Sequence, residues 1–184
     1  MIVAMPHCAG DYPRAAKESD MLTGKEDLLQ ALIEAFLMEK GTREFYADAG
    51  QKALDTEARK TFKALSAWEE KHMDYIRSLY LSVQDERDLE GFEQFSRHAA
   101  APVTEAGIPV KDLEASLERH SFVDDMGALI FALEIEGKAY NLYRKMSEKA
   151  VDTNAKVVFR EMMEQELSHI DYLKKARTAL AETP

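Results

Sequence analysis

Cysteine is almost missing from this chain: 184 residues contain one, Cys8. An internal disulfide, a four-cysteine zinc or iron site and a thiolate iron-sulfur cluster are therefore excluded. Such usage fits a reducing compartment. Cations are outnumbered, with 24 Lys plus Arg against 34 Asp plus Glu and a formal net charge of -10. A surface that acidic repels phosphate backbones and anionic headgroups, so neither nucleic acid nor membrane is an expected partner. No apolar run approaches the roughly 18 residues of a membrane span. The opening "MIVAMPHCAGDYP" has neither a basic start nor a long apolar stretch, and a cytoplasmic protein is expected. What the chain does have is apolar bulk, 46% of its residues, enough for one domain with a sizeable core.

It also has a repeat. The segment "KALDTEARKTFKALSAWEEKHMDYI" from Lys52 aligns without gaps on "KAVDTNAKVVFREMMEQELSHIDYL" from Lys149, an offset of 97 (149 − 52). The same offset pairs Leu32 with Leu129, Ala35 with Ala132, Glu39 with Glu136 and Tyr46 with Tyr143. Each half thus carries a Glu followed by a Glu-x-x-His: Glu39, Glu69 and His72, then Glu136, Glu166 and His169.

Each half predicts a helical hairpin. Thr23 with Glu26 makes a capping box for a helix to about Gly50, and Asp55 or Thr56 caps a second that reaches about Ser82. Ser121 and Asp124 stand near the start of a third helix ending about Lys149, and Asp152 or Thr153 caps a fourth to about Leu180. The expected organisation is an N-terminal tail (1–22), a hairpin (23–82), a crossover (83–120) holding Pro102, Gly107 and Pro109, and a hairpin (121–180). A crossover of that length spans a bundle easily, so the fold expected is an all-α four-helix bundle of two hairpins, not a simple up-down chain.

At about 100° per residue the polar repeat falls inside the apolar stripes. Leu32, Phe36, Glu39 and Tyr46 share one face, as do Leu129, Leu133, Glu136 and Tyr143. Phe62, Leu65, Glu69, His72, Ile76 and Leu79 share another, matched by Phe159, Met162, Glu166, His169, Ile170 and Leu173. Glu39 and His72 are equidistant from a turn near Asp55, and Glu136 and His169 from one near Asp152, so antiparallel pairing brings all six level. Four buried carboxylates repel, and without metal only protonation relieves them. Two divalent cations balance their charge with the histidines neutral. A Glu from each of two helices and a Glu-x-x-His from each of the others is the di-iron or di-manganese carboxylate pattern of four-helix bundles.

With "MEKGTREFYADA", "WEEKHMDYI", "EIEGKAYNLY" and "EQELSHIDYL", the chain resembles the rubrerythrin branch of the ferritin-like superfamily over roughly 25–82 and 121–180. The resemblance implies Glu39, Glu69, His72, Glu136, Glu166 and His169 as ligands of two iron ions, with manganese or zinc as alternatives, and Glu69 and Glu166 as bridges between them. It further implies oxidoreductase activity toward peroxide or dioxygen, served by a separate electron-donor protein because the four-cysteine rubredoxin-like module is missing. A homodimer is the expected assembly. The family's additional Glu, one turn after the third-helix ligand, is Ala139 here. The alternatives are an iron-storage or ferroxidase protein and a bundle that metal merely stabilises.

Tyr46 and Tyr143, two turns after a ligand Glu, are candidate catalytic groups that would hydrogen-bond carboxylates across the bundle. Plain core aromatics would give the same pattern. Trp68 reads as packing. Asp74 and Asp171 fall on the outward face, and Glu34, Glu134, Glu161 and Glu164 break the twofold pattern. His7, Cys8, His98 and His120 lie in the tail or around the crossover and are read as having no metal role.

Overall fold

The computed structural model describes residues 24–84, 104 and 124–182. They form four helices: α1 (Lys25–Lys52), α2 (Thr56–Gln84), α3 (Asp125–Lys149) and α4 (Thr153–Ala181). No strand occurs among the described residues. None of the helices is long and apolar enough to cross a membrane.

Side-chain caps set three of the four helix starts by satisfying amides that have no partner inside the helix. Asp55 accepts from the amides of Glu57 and Ala58, Asp124 from that of Gly127, and Asp152 from that of Ala155. Asp55 and Asp152 are equivalent in the repeat, so the two hairpin turns use one device. At the start of α1 Gly24 is the N-cap, with no side-chain cap bond. Thr23 lies outside the described residues, as do the tail 1–22, Ser121 and the crossover except Val83, Gln84 and Thr104.

α1 packs along α2, α3 along α4, and the hairpins join through α2 against α4. Bonds between Tyr46 and Glu136 and between Tyr143 and Glu39 make α1 and α3 antiparallel. The turn after α1 is tied to the start of α3, where Asp125 accepts from the amides of Leu54 and Asp55. α2 therefore ends at the far end of the bundle from where α3 begins. At Gly50 α1 lies close to α2: a Cβ there would stand in van der Waals contact with Phe62 Cβ, at 3.4 Å.

The core consists of two apolar layers. One joins Leu28, Leu32 and Phe36 to Ile76, Leu79, Phe159 and Met162, and the other joins Phe45, Ala49, Phe62 and Leu65 to Leu129, Ile135 and Leu173. Fully burying each Leu or Phe contributes roughly 1.5–3 kcal/mol. Leu133 and Ile170, expected in the stripes, are only half-buried. Between the layers, Glu39, Glu69, His72, Glu136, Glu166 and His169 form a buried polar slab.

Candidate metal centre

Four helices each deliver one carboxylate to that slab. Glu39, Glu69, His72, Glu136 and Glu166 have no solvent exposure, and His169 is 4% exposed. The helical period explains the convergence: three residues separate Glu69 from His72 and Glu166 from His169, which puts each pair on one face. Glu69, His72, Glu166 and His169 offer ligand atoms that all lie within 4.8 Å of one another, a buried cluster able to hold a metal ion.

Each imidazole turns Nδ1 toward three carboxylates. For His72 the neighbours are Glu69 Oε2 at 3.0 Å, Glu166 Oε1 at 3.1 Å and Glu39 Oε2 at 3.4 Å. For His169 they are Glu166 Oε2 at 3.0 Å, Glu136 Oε2 at 3.2 Å and Glu69 Oε1 at 3.6 Å. Ligands about 2.1 Å from one ion and at right angles stand about 3.0 Å apart, so this spacing suits metal coordination. A network held by protons alone would align N–H groups with oxygens. Instead both oxygens of Glu69, and Oε2 of Glu39, are buried without an aligned hydrogen bond. Burial without such a bond costs several kcal/mol, and a cation removes that cost.

The protein's own electrostatics divide the carboxylates. Burial raises the Glu39 carboxyl, but the charge of His72 and hydrogen bonds including that of Tyr143 outweigh it, bringing the pKa down to about 2. Burial likewise raises Glu136, and hydrogen bonds from His169 and its other neighbours, Tyr46 included, bring it below the usual value. Glu69 is pushed well above its ordinary value by burial, then by the charges of Glu136 and Glu39. Without metal, the slab keeps its outer carboxylates ionised and favours a proton on Glu69.

The tyrosines reach across the bundle. Tyr46 donates to Glu136 Oε1 and Tyr143 to Glu39 Oε1, so each hairpin steadies the other's carboxylate. The hydrogen bonds across the bundle expected of these two tyrosines are thus made, each to a carboxylate of the opposite hairpin. Ala139 is fully buried one turn past Glu136, and its repeat partner Thr42 is buried one turn past Glu39. The residues set aside from the site stay outside it: Glu34, Glu134, Glu161, Glu164, Asp74 and Asp171 are exposed. His7, Cys8, His98 and His120 lie outside the described residues.

Trp68 is the residue whose place the sequence did not indicate. Its ring stacks on His169 with centroids 4.9 Å apart and planes 12° apart, and His169 in turn stacks on His72 at 5.1 Å. The packing expected of Trp68 is made against α4.

No family model, curated protein or solved structure matches this chain.

Proposed function

We propose that this chain is a dinuclear metal-carboxylate protein, similar to the rubrerythrin branch of the ferritin-like superfamily, that holds a pair of iron ions and reacts with peroxide or dioxygen. One observation carries this reading: Glu69 and Glu166 each direct one oxygen toward His72 and the other toward His169. Two carboxylates divided in this way suit bridges between two ions. Glu39 completes the set beside His72 and Glu136 the set beside His169. Imidazole with carboxylate suits iron or manganese.

When bound, two ferrous ions supply the two electrons that reduce peroxide or dioxygen, and a separate electron-donor protein restores them. The residues do the rest. Four carboxylates offset two divalent charges, and each imidazole supplies one nitrogen ligand. Tyr46 and Tyr143 keep a proton at the outer carboxylates and hold their orientation. The apolar layers on either side limit water, which strengthens every charge interaction between them.

Elemental analysis of protein purified without a chelating step tests the stoichiometry, with two ions per chain expected. Anaerobic ferrous loading followed by stopped-flow mixing with peroxide or dioxygen tests the chemistry, with oxidation of the site expected. At most one tightly bound ion, together with no loss of thermal stability on chelation, would defeat the reading. Uptake of many ions per chain would favour iron storage instead.

A further inference from the structure

The repeat makes the two ends of the slab alike in their ligands and unlike in what covers them. His169 alone of the six site residues keeps any solvent exposure, at 4%. The half-buried Trp68 indole lies flat against its ring and also packs edge-on against Tyr172 at 5.0 Å and 69°. The offset of 97 puts Gln165 where Trp68 would recur and Tyr75 where Tyr172 would precede it (172 − 97). Gln165 has no ring with which to cover His72, and Tyr75 is 43% exposed. Among the described residues the flat Trp68 plate therefore has no counterpart at its repeat position, and the ring that meets His72 is Tyr143, edge-on at 6.5 Å and 72°.

A flat ring stacked on an imidazole restrains rotation of that imidazole and keeps water from its face. Both effects retain an ion at the nitrogen, since the shell around a site governs ligand orientation and solvent access. We propose that Trp68 is a positioning residue that shields the His169 end of the site, so that the ion held by His169 exchanges under its control while the ion held by His72 does not. The inference rests on the two-ion reading above.

Cobalt(II) is a suitable probe because its visible absorption reports binding and it quenches indole emission at short range. Trp68 is the chain's only tryptophan, so the emission reports this contact alone. Protein loaded with cobalt is mixed with excess EDTA, and release is followed for wild type, Trp68→Phe and Trp68→Ala. In Trp68→Ala one of the two ions should leave about tenfold faster or more, with the other within about twofold of its wild-type rate. Trp68→Phe, which keeps a flat ring, should restore most of the retention. Both ions released at wild-type rates, or both accelerated alike, overturns the proposal. A titration of the wild type keeps the test decisive if Trp68→Ala does not fold: emission should fall as cobalt fills the site, and unchanged emission overturns the contact. Uptake of no cobalt, or of one ion at saturation, overturns the two-ion reading and this inference with it. Uptake of two ions with no effect of Trp68 overturns this inference alone.

Discussion

Tyr143 donates a hydrogen bond to Glu39 although 104 positions of chain separate them, and Tyr46 returns the arrangement to Glu136. Each hairpin thus holds the outer carboxylate of the other. Neither carboxylate is fully placed until the hairpins have docked, so formation of the site and assembly of the bundle are coupled.

Removing either hydroxyl should uncouple them in part. Tyr143→Phe leaves Glu39 Oε1 without its donor, and Tyr46→Phe does the same for Glu136. A hydrogen bond to a charged group is worth about 1.5–3 kcal/mol, so each variant should lose stability of that order in urea unfolding of the metal-free protein. Chelator competition should show metal affinity down by about tenfold at the affected end. Affinities equal to wild type in both variants would mean that the tyrosines are only core aromatics.

The histidines should act separately. His72 approaches Glu39 and His169 approaches Glu136, so His72→Ala and His169→Ala each remove the nitrogen from one end. Elemental analysis of either variant should give a half-filled or mixed site. Two ions retained at wild-type affinity in either would contradict the pairing.

Metal-free protein should lose stability as pH rises above the ordinary carboxyl value. The Glu69 carboxyl lies well above 4.5 in the folded chain, so between 4.5 and its folded value the folded state holds a proton that the unfolded chain releases. Its contribution is present below 4.5 and lost as pH rises through the folded value. Glu39 behaves oppositely: held at about 2, it contributes stability above 4.5 that is lost only as pH falls toward 2. From pH 5 to 7, then, Glu69 gives the carboxylate dependence and Glu39 gives none. Thermal melts of chelated protein should fall over that interval, and Glu69→Gln, which cannot ionise, should fall less. Equal falls in the two proteins would refute the assignment to Glu69.

Gly137→Ala should stabilise the bundle. Gly137 lies inside α3 beside the buried Glu136, yet an added Cβ would meet nothing within 4 Å. Replacing glycine by alanine in an open helical position gains about 0.5–1 kcal/mol. The melting temperature of chelated protein should rise by about 1–4 °C. Gly50→Ala should gain less, because its Cβ would already be in van der Waals contact with Phe62 Cβ at 3.4 Å and with Lys63 at 3.5 Å. A fall in melting temperature for Gly137→Ala would mean that α3 needs the freedom of glycine.

The linear chain by itself determined the helices, the inward face of each and the level at which six ionisable residues meet. These depend on a period of 3.6 residues, on Asp caps acting over two or three positions, and on an offset of 97 that copies one hairpin onto the other. All six residues read from that pattern are buried together. Tertiary structure alone decided the rest. Which oxygen of Glu69 faces which histidine, how Asp125 ties the first turn to the third helix, and that Trp68 lies on His169 rather than along its own helix all depend on rotamers chosen between helices. Such choices are made when the hairpins dock, by contacts between residues dozens of positions apart, and no local period encodes them.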